Sequence, residues 1–429
     1  MLADPDGNML CVAGIWRTTG TAGTIAPVLA SVIAVALALV AWSLLARRLE
    51  HVRVTAPMFL VLAGVAVGFF TEDVLAESLN TDSAQHVAEI ILAVLLFIDA
   101  TDIRGGLFGS EPRAAMRMLF IAMPLSLALS VGLGLWLLPS PGWAVLLVVA
   151  CVVVPTDFAP AASILRDPRV PERVRNVLNV EAGYNDGIVS PVFIFALALA
   201  GDKSHAATPM AALGSAVPQA LKAVIVGVAV GAALALLTNA AERRGEMTDQ
   251  SKRLILVAAP MLAYGLSLAV HGNGFVSAFV CGIAFHYLRR ADAIRAELEL
   301  LDDIGFLLAA AMWFVFGATA VLALTFGVSW GMVLFCLLAL TVVRLLPVLL
   351  AMLGSTFSWP ERLMLGWLGP RGTTSIVFGL LAFNVLAGDD EREVLITTVL
   401  AVLGSVVLHG VGAPAAARAY RRSQTRMAG

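Results

Sequence analysis

Apolar residues in this chain run in blocks rather than alternating with polar ones at a strand period or marking one face of a helix. Thirteen such blocks lie near residues 25–45, 56–72, 84–101, 118–138, 143–164, 177–200, 214–238, 254–270, 273–288, 304–324, 328–352, 363–386 and 395–413. Each is long enough, or nearly so, to cross a hydrocarbon core that takes about 20 helical residues. The second, eighth and ninth are short, and the last two of these meet at the turn cluster His271-Gly272-Asn273-Gly274. The expected fold is all-α and polytopic, with about 13 transmembrane helices. Residues 1–24 read as a short tail: Asp4 and Asp6 stand where a signal peptide would be basic. Residues 414–429 read as a second short tail.

Composition agrees with the pattern. The chain has 429 residues, 59% hydrophobic and 14% charged, against about 25% charged in a soluble domain. A net charge of −2 argues against a nucleic-acid partner. Cys11, Cys151, Cys281 and Cys336 form no CxxC pair, and there is no histidine cluster, so neither a disulfide framework nor a zinc site is indicated. No Walker sequence is present and the loops are short, so no nucleotide drives the protein and no cofactor is expected. GxSxG and HExxH arrangements are also missing, which leaves an intramembrane enzyme with little support.

Basic residues orient the blocks. With the N-terminus outside, 22 of the 28 Lys and Arg residues fall in inside connections or the C-terminal tail. Three fall outside (Arg17, Lys203, Arg392) and three within spans (Lys222, Arg344, Arg371). The positive-inside rule then predicts a multi-pass protein of the cell membrane with its C-terminus in the cytoplasm. An odd number of spans follows, since one missed helix would invert every later connection.

Two blocks are interrupted. Block five carries Pro155-Thr156-Asp157-Phe158-Ala159-Pro160, and block twelve carries Gly369-Pro370-Arg371-Gly372-Thr373-Thr374. With block seven set aside as a linker, blocks 1–6 and 8–13 form two six-helix sets of opposite orientation, and block five maps onto block twelve. Paired Gly/Pro-interrupted helices at matching positions of two halves point to a transport site at the midplane.

The chemistry concentrates there. Proline removes a backbone donor, and freed carbonyls at membrane depth are tolerated only where they line a cavity or are buried in protein. Beside the Thr156 carbonyl, Asp157 adds a hard oxygen ligand, a set suited to a small alkali cation. In block six, Asn185 shares a helix face with Glu181, and Asp186 is turned about 100° further, toward a cavity shared with block five. Buried charge needs a partner; for Glu181 the candidates are Arg344, in block eleven, and Arg371. For Asp186 no third cation is evident, which marks it as the functional carboxylate. Glu89 and His86 near the outer end of block three, and Asp99 and Asp102 near its inner end, read as interfacial. Lys222, His286 and His409 read as structural.

At these residues the chain resembles the monovalent cation:proton antiporters, in their electroneutral sodium/proton exchanger branch (NhaP-like and NHE-like). Thr156-Asp157, Glu181 with Asn185-Asp186, Arg344 and the Gly-x-Arg-Gly around Arg371 match its motifs in order and spacing. The resemblance covers nearly the whole chain. It implies an NhaA-like antiporter fold with two inverted six-helix repeats and discontinuous helices. It implies a homodimer whose protomer divides into a dimerisation part (25–101 and 214–324) and a mobile core (118–200 and 328–413). It also implies alternating access, with Asp186 exchanging a proton for Na⁺ or Li⁺, Asp157 and Thr156 assisting the metal, Asn185 nearby, and Glu181–Arg344 as a structural bridge. Two departures stand out: Ala182 where a serine is usual, and Phe158 where a proline usually follows Thr-Asp. One titratable group in Asn185-Asp186 implies electroneutral one-for-one exchange. A potassium/proton antiporter is the alternative in the same class; a cation channel is the alternative from another class. An organic-anion symporter is disfavoured by the acidic site.

Overall fold

The computed structural model describes residues 22–52, 54–79, 81–103, 106–138, 140–161, 163–201, 209–290 and 294–427. The expected tail at 1–24 therefore lies almost wholly outside the described residues. The architecture is all-helical. In chain order the helices are α1 (Ala22–His51), α2 (Ala56–Leu79), α3 (Asp82–Thr101), α4 (Pro112–Arg117), α5 (Met123–Leu137), α6 (Trp143–Val153), α7 (Ser163–Arg166), α8 (Glu172–Ala200), α9 (Pro209–Arg243), α10 (Asp249–Ala269), α11 (Gly274–Leu288), α12 (Ile294–Thr325), α13 (Trp330–Leu340), α14 (Val342–Ala351), α15 (Trp359–Trp367), α16 (Thr373–Val385) and α17 (Asp389–Met427). Among the described residues nine spans are long and apolar enough to cross a membrane. Four shorter apolar helices lie at Ala56–Phe70, Trp143–Val153, Gly274–Leu288 and Thr373–Val385.

Several helices outrun their apolar blocks. α8 begins at Glu172 rather than 177, α12 at Ile294 rather than 304, and α17 continues to Met427 instead of ending at 413. Backbone hydrogen bonding continues where hydropathy fades, because helical geometry needs intact N–H···O=C bonds and not apolar side chains. The helix of the fourth block begins at Pro112 rather than 118 and bulges into a π-helical turn at Met118–Ala122 before α5. The eleventh is not continuous: it breaks at Thr341, whose hydroxyl donates to the Leu337 carbonyl at 2.7 Å. A hydroxyl that takes its own i−4 carbonyl competes with the helix ladder and bends it.

Two groups of helices pack internally. In one, α2 lies along α12, and α9, α10 and α3 surround α11. Small residues allow the close approach: on α9, a side chain at Gly227 or Gly231 would collide with the Ser277 and Cys281 carbonyls of α11. On α12, one at Gly317 would collide with the Val61 carbonyl of α2. Close packing at small residues is how helices associate in lipid, where apolar side chains gain little by leaving it. In the other group, α5 and α8 pack on α6, α16 and α13 on α17, and α14 on α15. The groups meet where α3 and α11 touch α8 and where α3 touches α16. At this seam Phe279 of α11 sits edge-on to Tyr184 of α8, filling the notch left by Gly187.

Candidate functional site

Both interrupted blocks are broken helices, and they cross. α6 ends at Val153 and the chain runs without helix through Pro155–Phe158 before a 3-10 turn at Ala159–Ala161. α15 ends at Trp367 and α16 starts at Thr373. The two non-helical stretches bond to each other. The Asp157 amide donates to the Pro370 carbonyl at 2.8 Å. Arg371 donates through Nε to the Val153 carbonyl, and the Ser375 hydroxyl donates to the Val152 carbonyl at 2.7 Å. Main-chain groups released by the breaks are thus satisfied inside protein, as membrane depth requires.

The crossing sets the carboxylates. Asp157 Oδ2 accepts from the Thr373 amide at 2.7 Å, in the first turn of α16. That end of a helix carries unpaired N–H groups and favours negative charge. Gly372 makes the approach possible, because a Cβ there would overlap the Asp157 carboxylate. Asp186 accepts through Oδ2 from the Thr374 hydroxyl at 2.5 Å. Its Oδ1 is buried and has no hydrogen-bond partner among the described residues, and the residue is 2% exposed.

Asn185 reaches the broken helix of block five directly: its Nδ2 donates to the Thr156 carbonyl at 2.7 Å and to Thr156 Oγ1 at 2.9 Å. The freed Thr156 carbonyl is therefore held by Asn185. Glu181 meets Arg344, with Nη1–Oε1 at 2.6 Å and Nη2–Oε2 at 3.0 Å. Arg344 Nη2 also donates to the Leu365 and Leu368 carbonyls at the end of α15. Of the two candidate partners, Arg344 holds Glu181 and Arg371 does not. Arg371 is 1% exposed and is spent on main chain, donating to Val153 and Gly369 carbonyls, while its own amide donates to Ser405 Oγ at 2.7 Å. A Cβ at Gly369 would overlap the Arg344 guanidinium, so the break of block twelve also makes room for the ion pair.

A cavity adjoins this cluster, lined among others by Ser126, Pro155, Glu181, Asn185, Arg344 and Arg371. Neither Asp186 nor Asp157 lines it: the two carboxylates face the α16 side of the crossing, whereas Asn185 and the ion pair face this cavity. Among the described residues no group of three or more His, Cys, Asp or Glu gathers as a metal site. The oxygens at the crossing are two carboxylates, hydroxyls and main-chain carbonyls, a donor set matched to hard cations.

Two contributors were not assigned to the site from sequence, Thr374 and Asp99, while His409 takes the structural place read for it. Thr374 was visible only as part of an interrupted helix. Asp99, expected at an interface, is half-buried on α3 and within electrostatic range of Asp186 and Asp157. α3 abuts α8 there, since a Cβ at Gly183 would touch the Asp99 carbonyl at 3.0 Å. His409, buried on α17, faces the Trp367 carbonyl through Nε2 at 3.1 Å and Ser405 Oγ through Nδ1 at 3.2 Å, and so braces the end of α15. The i−4 spacing of Ser405 to His409 was a readable signal; the partners from α15 and α16 were not.

Residues 34–419 match the family described as "Sodium/hydrogen exchanger, transmembrane". The chain is 25% identical over 340 residues to a Na(+)/H(+) antiporter of Schizosaccharomyces pombe, covering 75% of this chain and 72% of that protein. It is 23% identical over 344 residues to the K(+)/H(+) antiporter NhaP2 of Shewanella baltica, covering 78% of this chain and 57% of that one. Its fold matches the sodium proton antiporter MjNhaP1 of Methanocaldococcus jannaschii, solved at pH 8, with a TM-score of 0.75 at 20% identity over 91% of this chain and 98% of the other.

Proposed function

The chain belongs to the sodium/hydrogen exchanger family and is a membrane antiporter that exchanges a monovalent cation for protons; from that premise we propose that Asp186 is the carboxylate that carries one or the other in turn. The observation that carries this is the state of Asp186: buried, held by one hydroxyl, with its second oxygen unpartnered. A buried carboxylate in that state must take up a proton or a cation, because an uncompensated charge there is costly. In this reading Asp157, Thr156 and Asn185 shape and share the cation site. Glu181–Arg344 is the structural bridge, and Arg371 ties the two breaks together.

Na⁺, with Li⁺, is the cargo this reading favours. The sodium/proton relatives are at least as similar as the potassium/proton ones. The finer architecture belongs to the same proposal. Among the described residues, nine long and four short apolar helices support the reading of thirteen spans, which this proposal arranges in two inverted six-helix repeats. The helices of 25–101 and 214–324 would form the dimerisation part of a homodimer, and those of 118–200 and 328–413 a core that moves against it to alternate access. The charge bias of the connections supports the cell membrane, with the N-terminus outside and the C-terminus in the cytoplasm, where exchange would serve pH homeostasis. The partners are then the cation, the proton, lipid and a second copy, with no nucleic acid or nucleotide, no resident cofactor and no enzymatic reaction.

The test is reconstitution into liposomes with an imposed pH gradient. Na⁺ or Li⁺ should dissipate the gradient with wild type and fail to do so with Asp186→Asn. Dissipation by K⁺ alone would move the protein to the potassium reading. Current driven by potential at fixed pH would mark a channel. Normal exchange in Asp186→Asn would remove Asp186 from the mechanism.

A further inference from the structure

Among the described residues, the hydroxyl of Thr374 is the one side-chain hydrogen-bond partner of Asp186. It comes from the opposite half of the chain, out of the first turn of α16 and next to Thr373, whose amide holds Asp157. The hydroxyl has one proton and two lone pairs. At 2.5 Å its proton is committed to Asp186 Oδ2, and among the described residues no other hydrogen bond engages the Thr374 hydroxyl, so its lone pairs are free. Asp186 Oδ1 is free as well. Both residues are buried, Thr374 at 3% exposure. One buried spot therefore presents a carboxylate oxygen without a partner beside a hydroxyl oxygen with lone pairs to give, and no main-chain group satisfies either.

We infer that Thr374 is a specificity-determining residue of the exchange site: its hydroxyl oxygen and Asp186 Oδ1 together ligate the dehydrated alkali cation, while its proton keeps Asp186 aimed. This rests on the exchange reading above. The hydroxyl has a second use in the cycle. When Asp186 carries a proton in place of the cation, the same rotor turns and accepts from the carboxyl group, so Asp186 keeps a partner in both states. A methyl group does neither. Because Thr374 sits in the first turn of α16, any displacement of the break in block twelve moves a cation ligand and the Asp157 partner together, which couples occupancy of the site to the position of that helix.

The experiment compares wild type with Thr374→Val, which keeps the side-chain shape, and Thr374→Ser, which keeps the hydroxyl. Two readouts are taken: the KM and kcat of cation-dependent proton flux in liposomes for Na⁺, Li⁺ and K⁺, and the rise in melting temperature of the detergent-solubilised protein with added Na⁺. Loss of one charge-assisted bond should raise the Na⁺ KM of Thr374→Val about tenfold and shrink its Na⁺-dependent stabilisation. It should also compress the preference among the three cations. Thr374→Ser should return all three to near wild type. If Thr374→Val does not reach the membrane folded, Thr374→Ala supplies the same comparison. Wild-type KM, cation order and Na⁺ stabilisation in the folded hydroxyl-free variant would overturn the inference. A wild type that itself shows no cation-dependent flux would overturn the exchange reading instead.

Discussion

At the scale of single residues, the site separates charges that are balanced in place from one that is not. Glu181 and Arg344 satisfy each other in a two-bond fork, with two further carbonyls on the guanidinium. Asp186 keeps an unpartnered oxygen. This difference predicts opposite phenotypes. Removing one partner of a buried pair typically costs about 3–5 kcal/mol, so Glu181→Ala should lower the melting temperature clearly. Asp186→Asn removes a buried charge and keeps the side-chain shape, so it should melt near or above wild type while losing exchange. Thermal melts and flux measured on the same preparations decide it. Equal melting of the two variants, with Glu181→Ala alone losing cation-dependent stabilisation, would make Glu181 a cation ligand.

At the scale of elements, the site is made by two interruptions that would each be a defect alone. The breaks of blocks five and twelve release carbonyls and amides that would be costly in lipid, and each satisfies the other. Gly372 is one point of close approach between them. A Cβ there would overlap the Asp157 carboxylate, and overpacking of a tight contact costs about 1–3 kcal/mol. Gly372→Ala should therefore fold with reduced stability and push Asp157 off the Thr373 amide, lowering exchange about tenfold or more. Wild-type flux in that variant would show that Asp157 does not depend on the first turn of α16. The interruptions were readable from Gly and Pro in both blocks. That they interlock was not, because sequence spacing carries no information on which broken stretch faces which. The π-helical turn at Met118–Ala122 and the break at Thr341 left no trace in hydropathy for a related reason: both shift backbone hydrogen bonds by a residue without changing which residues are apolar.

At the scale of the whole molecule, the count of exchangeable charge sets the energetics. Arg344 is engaged by Glu181 and Arg371 by main-chain carbonyls, so neither is placed to carry a second transported proton. One-for-one exchange is proposed on one proton-carrying group in Asn185-Asp186: if Asp157, whose Oδ2 accepts from the Thr373 amide, stays ionised in both states, the protomer bears the same charge with H⁺ or Na⁺ bound. A membrane potential, worth about 2.3 kcal/mol per charge per 100 mV, then does no net work on the cycle. In liposomes with equal Na⁺ and pH on both sides, a potential clamped with K⁺ and valinomycin should drive no Na⁺-dependent pH change. A pH change that follows the potential would make Asp157 a second proton carrier. Asp99, half-buried on α3 across the seam, would be the next carboxylate to examine in that event.

The linear chain determined what can be counted along it. Long apolar blocks specify helices in lipid, because every backbone group there must bond within its own segment. The bias of basic connections carries the proposed orientation, and Asp157, Glu181, Asp186, Arg344 and Arg371 stand out because charge at membrane depth is costly wherever it lies. Tertiary structure decided the pairings. It set Glu181 on Arg344 and turned Arg371 to the main chain. It placed Asn185 on the Thr156 carbonyl and Thr374 on Asp186, and it drew Arg289 into a buried bond with Glu297 and Asn239. Asn185–Thr156, Arg289–Asn239, Glu181–Arg344 and Thr374–Asp186 join residues 29 to 188 positions apart in the chain. Hydrogen-bond geometry of a few ångströms is fixed by how helices pack in three dimensions, and the order of residues along each helix does not encode it.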